Sequence, residues 1–266
     1  MTTRLIVGMT AAVLIAAVAY RRELLDRRGA LAATVAGTMS VAAGYRWGVL
    51  LVAYFVVAAL ISRWRQREKS RRTSLVIEKR GARDAWQVFA NGGVFVGCAI
   101  ASSMYGSDVA TAAALGAIAT AMADTAATEI GSAIGGEPRS IISGQKVPLG
   151  VSGGVTVVGS LSMLIGSVVI GTIALELGFG WSTVVAGSAG GIAGGLADSL
   201  LGALVQERRV CPACGAATER RVHPCTSESV PTLLAGGVSR FGNDGVNLTS
   251  TAIGALVAGV LSRGGI

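Results

Sequence analysis

Long apolar segments alternate with short polar ones along most of the chain. Eight of these segments approach the length that a helix needs to cross a bilayer, which is about 20 residues. The pattern predicts an all-α fold, a polytopic bundle of transmembrane helices with Gly/Ala-rich packing that forms a single membrane domain over residues 1–266. The predicted spans lie at about 4–20, 30–45, 47–62, 88–105, 109–131, 154–177, 182–204 and 246–262.

The first apolar segment has features of both a secretion signal and a membrane helix. Arg4 precedes the apolar run, as in a signal peptide. The run is long, however, and Arg21 and Arg22 follow it where a cleavage site and a soluble domain would stand in a signal-bearing protein. We therefore expect a membrane span here.

Composition agrees with a membrane protein. Charged residues make up 14% of the chain, whereas a soluble protein carries about 25%. Many of the 38 glycines lie inside the apolar segments, where small residues let membrane helices approach closely. A net charge of +8 suggests nucleic acid in a soluble protein. Here it is explained by membrane topology, so we expect no nucleic-acid partner.

The basic residues are confined to a few connecting segments. All of the 23 lysines and arginines except Arg4, Arg46 and Arg263 lie in four of them. Positively charged segments stay on the cytoplasmic side, so both termini are expected outside. Segment 63–87 either anchors the chain on anionic lipid or helps to attract a nucleotide. The predicted cytoplasmic segments are 21–29, 63–87, 132–153 and the Cys/His loop 205–245.

Acidic residues recur near the predicted cytoplasmic ends of the spans. Asp124 and Asp198 lie late in two spans, and Asp244 lies at the start of the last one. Ionisable residues inside a span are costly and by default functional. Three carboxylates at one level near the inner face predict a catalytic Mg²⁺ site, because oxygen ligands suit this ion. The alternative is a hydrogen-bonded set that only holds the bundle together.

Other polar positions near these acids are expected to contact the substrate or its phosphates. Glu129 points away from Asp124 on an ideal helix, so it either meets another partner or requires the helix to break at Gly131. Gln87 and Asn91 either line the same site or cap their span. The predicted binding residues of these helices are Asn91, Thr125, Glu129, Ser199, Asn243 and Asn247.

Segment 143–154, S-G-Q-K-V-P-L-G-V-S-G-G, is a glycine-rich loop directly before a predicted helix. Backbone N–H groups at a helix N-terminus bind phosphate well. We expect Ser152, Gly153 and Gly154 to bind phosphate, with Arg139 and a catalytic Lys146 neutralising charge. The loop lacks the Walker A pattern G-x-x-x-x-G-K-[ST].

Cysteines and a histidine cluster in the last basic loop. Cys211, Cys214, His223 and Cys225 form the pattern C-x₂-C-x₈-H-x-C, and His223 is the only histidine of the chain. Four such ligands in one loop predict a small structural Zn²⁺ site. Free thiols and a disulfide are the alternatives.

Five ordered motifs resemble those of the DUF92, or TMEM19-like, integral membrane family, which includes the plant phytyl-phosphate kinase. The chain departs from the expected pattern at Val151, where we expect Thr, and at Gly242, where we expect Asn. The motifs are Q-V-F-A-N-G-G (87–93), A-D-T-A-A-T-E-I-G (123–131), P-R-S-I-I-S-G-Q-K-V-P-L-G-V-S-G-G (138–154), G-G-L-A-D-S-L-L-G (194–202) and N-D-G-V-N (243–247).

The resemblance implies transfer of a phosphoryl group from a nucleoside triphosphate, CTP or ATP, to an isoprenyl monophosphate at the cytoplasmic face. Mg²⁺ held by Asp124, Asp198 and Asp244 would bridge the nucleotide phosphates. Two other classes remain open: a transporter or channel with an acidic intramembrane site, and a lipid-phosphate nucleotidyltransferase. Transport sites lie near the midplane, whereas these acids lie toward one edge.

Overall fold

A computed structural model describes residues 2–73, 76, 81–225 and 229–264. Helices dominate these residues, and the strands are short and confined to two connecting segments. The helices are α1 (Thr2–Arg21), α2 (Arg27–Ala43), α3 (Tyr45–Arg63), α4 (Gln66–Thr73), α5 (Ala85–Tyr105), α6 (Asp108–Ile134), α7 (Val157–Glu176), α8 (Trp181–Leu204) and α9 (Asn243–Arg263). The strands are β1 (Arg139–Ser140), β2 (Gly154–Val155), β3 (Arg208–Val210), β4 (Ala217–Thr218), β5 (Val222–His223), β6 (Val230–Pro231) and β7 (Leu233–Gly236).

The predicted helical membrane bundle is confirmed. Each of the eight predicted segments coincides largely with a helix, and among the described residues seven of these helices are long and apolar enough to span a membrane. The eighth, α2, has only 17 residues and packs against α1 and α5. Helix α4 lies inside the basic segment 63–87, where the sequence predicted only a loop.

Side-chain caps explain where several helices begin. Asp84 accepts a hydrogen bond from the Gln87 N–H, and the Gln87 side chain accepts one from the Asp84 N–H, which forms a capping box at α5. Thr156 caps α7 with a single hydrogen bond, which its side chain accepts from the Gly159 N–H at 2.9 Å. Helix α7 therefore starts at Val157, and the first residues of the predicted span 154–177 form strand β2 instead.

Helix α6 is the centre of the bundle. It packs against α3, α5, α7, α8 and α9, and 72% of the residues in its most apolar 18-residue stretch are buried. Its crossings with α8 and α9 depend on glycine, because a Cβ atom at Gly194 or Gly254 would collide with Thr120 of α6. The helices that carry Asp124, Asp198 and Asp244 are therefore packed closely against one another.

The four basic connecting segments meet at one end of the bundle. The Asp26 N–H donates to the Arg83 carbonyl at 3.1 Å, which joins the first segment to the second. Lys69 of α4 is buried and forms an ion pair with Glu129 near the end of α6. The basic segments that the charge pattern placed on one side of the membrane therefore lie at one end of the bundle.

Candidate functional site

A polar cavity of about 770 Å³ lies at the end of the bundle where the basic segments meet. Its membrane-side wall is formed by α5, α6, α8 and the first turns of α9. Its other wall is formed by segments 138–156 and 206–242, which connect the helices. The cavity is large enough to hold a ligand the size of a nucleotide, since small-molecule sites commonly measure about 300–1,000 Å³.

Asp124 and Asp198 lie beside each other on the membrane-side wall, close enough for their carboxyl groups to interact. Asp124 accepts a hydrogen bond from Thr128 at 3.3 Å, and Asp198 accepts one from Ser250 at 2.9 Å. At 1.5 Å per residue, Asp124 lies about 15 Å from the end of α6 and Asp198 about 9 Å from the end of α8. Asp124 is thus near the middle of its helix and not toward one edge, where the sequence placed it. Two adjacent carboxylates either share a proton or hold a cation.

Asp244 lines the same cavity from the first turn of α9. Its carboxylate is too far from those of Asp124 and Asp198 for the three to surround one metal ion closely. Among the described residues, only the Cys/His cluster brings three or more potential ligand atoms of His, Cys, Asp or Glu within 4.8 Å of one another. Asp124 and Asp198 therefore lie close together while Asp244 lies farther away in the same cavity, and a metal site at the three aspartates stays a prediction.

Amide side chains extend the membrane-side wall. Asn247 donates to Asn91 Oδ1 at 3.4 Å, and Asn91 donates to the Gln87 carbonyl at 2.9 Å. Asn247 is only 6% exposed, yet its Oδ1 has no hydrogen-bond partner within the described part of the chain. Gln87 and Asn91 line the cavity, and Gln87 also caps its helix. A buried carbonyl oxygen without a donor fits a site for a cation or a bound ligand.

The remaining binding positions of the helices also line the cavity. Thr125 donates to the Ala121 carbonyl at 2.8 Å, and Ser199 lies on the same wall as Asp198. Glu129 meets a different partner, Lys69, and α6 continues unbroken past Gly131. The residues of this group at the cavity are Thr125, Glu129, Ser199 and Asn243.

The glycine-rich loop forms part of the opposite wall. Gly153 has a φ of +76° and packs so tightly on Ala203 of α8 that a Cβ atom would collide with its backbone. The Gly154 N–H is already used, since it donates to the Val151 carbonyl at 3.1 Å. Within the described residues, the N–H groups of Ser152 and Gly153 donate to no backbone carbonyl. Of the three amides expected to bind phosphate, these two are available to an anion.

The expected cations of this loop lie elsewhere. Lys146 is 64% exposed and pairs with Glu137 at 2.5 Å, and the charge of Glu137 raises the pKa of Lys146. Arg139 donates to the Gly144 carbonyl at 2.8 Å. Neither residue lines the cavity. Its basic lining residues are Arg83, Arg221 and Arg240.

Sequence reasoning did not single out these three arginines as site residues. Arg83 is half-buried and follows the basic run, directly before the Asp84 cap of α5. Arg240 directly precedes the F-G-N-D motif. Proximity to a motif was the only sequence signal available, because nothing local indicates that these side chains reach the cavity.

Two glutamates of the 205–245 loop also line the cavity and were missed. Glu219 accepts hydrogen bonds from Ser152 at 2.6 Å and from Gln206 at 2.8 Å, which joins the two segments of this wall. Burial acts to raise the pKa of Glu207, but hydrogen bonds from the Arg240 N–H and from Arg209 outweigh it and hold the pKa below its ordinary value. Both glutamates thus orient neighbouring residues of the wall.

The predicted Cys/His cluster is assembled beside this wall. The potential ligand atoms of Cys211, Cys214, His223 and Cys225 all lie within 4.8 Å of one another. The Sγ atoms of Cys211 and Cys225 are 3.5 Å apart, and Cys214 Sγ is 3.8 Å from His223 Nδ1. The four residues form one group rather than one or two bonded pairs.

Comparison with known proteins gives the chain a family. The family model described as integral membrane protein DUF92 matches residues 10–255. The chain belongs to the DUF92 family of integral membrane proteins. The resemblance that the five motifs predicted is therefore confirmed.

Two relatives illustrate how far the similarity extends. The chain is 29% identical over 209 residues to the uncharacterized membrane protein MJ0933 of Methanocaldococcus jannaschii, covering 78% of this chain and 85% of that protein. It is 27% identical over 285 residues to Protein PGR of Arabidopsis thaliana, covering 97% of this chain and 96% of that protein. No solved structure matches the chain.

Proposed function

We propose that this DUF92 protein transfers the terminal phosphoryl group of a nucleoside triphosphate, CTP or ATP, to an isoprenyl monophosphate. The acceptor resembles phytyl or geranylgeranyl phosphate, and the product is the prenyl diphosphate. The observation that carries the proposal is one cavity in which a half-buried aspartate pair on membrane helices faces arginines and loop amides. That combination suits a phosphorylated ligand whose other end lies in lipid.

The residues present fit a magnesium ion. Asp124 and Asp198 supply paired carboxylate oxygens, and the buried Asn247 Oδ1 lacks a hydrogen-bond donor among the described residues. Mg²⁺ favours such oxygen ligands together with substrate phosphates. When bound, the ion neutralises charge on the transferring phosphoryl group.

The chain's own residues position the two substrates. Phosphoryl transfer depends mainly on alignment and charge neutralisation. Arg83 and Arg240 line the cavity and attract phosphate oxygens, and the Ser152 and Gly153 N–H groups are oriented by the tight packing of the glycine-rich loop. Because the acceptor is already an anion at neutral pH, it needs no general base.

An apolar groove next to the cavity supports a lipid acceptor. It has a volume of about 100 Å³ and lies among α1, α2, α3 and α5. Its lining is mostly alanine and larger aliphatic or aromatic side chains, and it shares Arg83, Gln87 and Asn91 with the polar cavity. A molecule with a phosphate head in the cavity can therefore place a part of its apolar tail in the groove, while the rest of a long tail extends beyond it.

The basic segments support a cytoplasmic location of the cavity, where nucleotides are found. Segments rich in Lys and Arg remain in the cytoplasm, and three of the four basic segments contribute residues to the lining of the cavity. Labelling of an introduced cysteine at Ile142 by an impermeant reagent in intact cells would contradict this orientation.

Product analysis tests the activity. Purified protein is incubated with Mg²⁺, γ-labelled CTP or ATP, and isoprenyl phosphates of long and short chain length. The expected product is a labelled prenyl diphosphate with release of the nucleoside diphosphate. Release of pyrophosphate with a nucleotidyl-lipid product would identify a nucleotidyltransferase instead. No product with any acceptor, together with uptake activity in vesicles, would favour a transporter.

A further inference from the structure

We propose that Cys211, Cys214, His223 and Cys225 bind one zinc ion and that this ion fastens the 205–241 segment over the polar cavity. The ligand types are those of structural Cys₃His zinc sites. The proposal concerns a metal separate from the magnesium discussed above, and it stands whether or not the phosphotransferase activity is found.

The spacing of the four ligand atoms matches tetrahedral zinc. Zn–S bonds of about 2.3 Å place two sulfur ligands about 3.8 Å apart in a tetrahedron. The Cys211 and Cys225 sulfurs are 3.5 Å apart, and the Cys214 sulfur is 3.8 Å from His223 Nδ1. A disulfide requires sulfurs about 2.05 Å apart and involves two residues, whereas here four ligand atoms converge on one point.

The backbone around the first two ligands is shaped for a metal. The Gly215 N–H donates to the Cys211 carbonyl at 2.8 Å, and the Cys211 N–H donates to the Ala216 carbonyl at 3.0 Å. Gly215 has a φ of +71°, a left-handed conformation that glycine adopts readily.

His223 gives a second, independent indication. The ring is only 1% exposed, and its Nε2 has no hydrogen-bond partner in the part of the chain that the structure describes. Within the described residues, the hydrogen-bond partner of its Nδ1 is the Cys214 sulfur, 3.8 Å away. A buried imidazole whose Nδ1 is directed at a cysteine sulfur, and not at a backbone carbonyl or a carboxylate, is placed as a ligand to a metal shared with that sulfur.

The ion would hold the cavity wall because its ligands flank the residues that line it. Glu219 lies between Cys214 and His223 in the chain, and its carboxylate accepts hydrogen bonds from Ser152 and Gln206. Fixing both ends of this stretch limits the positions that Glu219 can reach. Zinc bound here therefore stabilises the contact between the 205–241 segment and the glycine-rich loop.

Metal analysis of the purified full-length protein tests the site. We expect about one zinc per chain, and replacement by Co²⁺ should give sulfur-to-cobalt charge-transfer absorption. Cys211→Ser and Cys214→Ser should lower the zinc content to near zero. Cys98→Ser, which changes a partly buried free thiol in α5, should leave it unchanged. Wild-type protein without zinc and with four freely titrating thiols would overturn the site, even if the variants failed to fold.

Hydrogen exchange tests the fastening. Removal of zinc by a chelator should raise amide exchange in residues 205–223 and also in residues 149–154, while the membrane helices stay protected. Faster exchange in 205–223 alone would overturn the coupling to the glycine-rich loop but keep the zinc site. Neither zinc content nor amide exchange depends on catalysis. A protein that binds zinc and shows exchange in both segments, but has no phosphotransferase activity, would therefore contradict only the proposed function.

Discussion

The two walls of the polar cavity are built in different ways. The membrane-side wall consists of long helices whose backbones approach at glycines such as Gly194 and Gly254. The opposite wall consists of short strands and turns joined by a few side-chain hydrogen bonds, among them those of Glu219 and Glu207. The first wall carries the aspartate pair, and the second carries two of the arginines and the loop amides.

This difference indicates that the two walls have different roles in the site. Close-packed helices have few alternative arrangements, because interiors tolerate little change in volume, so they suit groups whose relative positions must not change. Segments held by a few hydrogen bonds open more easily, so they suit groups that must admit and release a ligand. The comparison predicts that changes in the helical wall act on catalysis or on the whole fold, and that changes in the loop wall act locally.

The largest effect is expected at the aspartate pair. Asp124→Asn and Asp198→Asn keep the size of each side chain and remove a charge that would hold the metal. We expect the turnover to fall on the order of 10²-fold or more, the scale for loss of a preorganised electrostatic group. Turnover and thermal unfolding are measured on the same purified variants, and the melting temperature should change little.

Asp108→Asn is the matched control, because Asp108 lies on the same helix at its opposite, exposed end. It should leave turnover unchanged. If Asp124→Asn and Asp198→Asn unfold at lower temperature but retain full turnover, the pair serves only to hold helices together, and the metal site is refuted.

The next largest effect is expected at a helix crossing. A Cβ atom at Gly254 would meet the Thr120 hydroxyl and would lie 2.9 Å from the Gly190 carbonyl oxygen. Gly254→Ala should therefore destabilise the fold by about 1–3 kcal/mol, as overpacking does. Gly97→Ala is the control, since nothing lies within 4 Å of its Cβ position. Thermal unfolding in detergent should show a loss for the first variant and none for the second.

The helical wall is the part of the site that the sequence allowed us to predict. Asp124 and Asp198 follow alanine late in spans of the same direction, so a topology from charge alone brings them to one level. Helical periodicity also left Glu129 with either a different partner or a helix break at Gly131, and the structure shows the first. These inferences depend on residues close together in sequence and on the fixed geometry of helices.

The loop wall was predicted poorly because its shape depends on contacts distant in sequence. The hydrogen bond of Ser152 to Glu219 joins residues 67 positions apart, and no local pattern reveals it. For the same reason we expected Lys146 at the site, although it pairs with Glu137 outside. Arg83 and Arg240 reach the cavity through turns whose course the local sequence does not determine.

A third prediction concerns the apolar groove beside the helical wall. Gly92 is buried in α5 and lines the groove, and nothing lies within 4 Å of its Cβ position. Gly92→Leu should therefore fill the groove without disturbing the helix. If the groove holds the prenyl tail, kcat/KM for a long-chain acceptor should fall on the order of tenfold, the scale for steric mismatch in an apolar pocket.

Chain length makes this test specific. A short-chain prenyl phosphate does not reach far into the groove, so its kcat/KM should be nearly unchanged in Gly92→Leu. Gly97→Leu places the same side chain on the exposed face of α5 and should behave like the wild type with both acceptors. Equal losses for long and short acceptors would show that the groove is not the binding site of the tail.

The smallest effect is expected in the loop wall, at Glu207. Its pKa lies below the ordinary value of 4.5, so its contribution to stability is fully present above that pH and is lost as the pH falls through the folded-state pKa. Glu207→Gln should lower the melting temperature at pH 7, and the difference from wild type should shrink below about pH 4.5.

Glu137 also has a lowered pKa, through Lys146, but it is exposed, and an exposed ion pair contributes little. Glu137→Gln should therefore leave the melting temperature nearly unchanged at every pH. If Glu207→Gln behaves like Glu137→Gln, the position of the loop wall does not depend on this buried carboxylate and must come from its other contacts, such as those of Glu219.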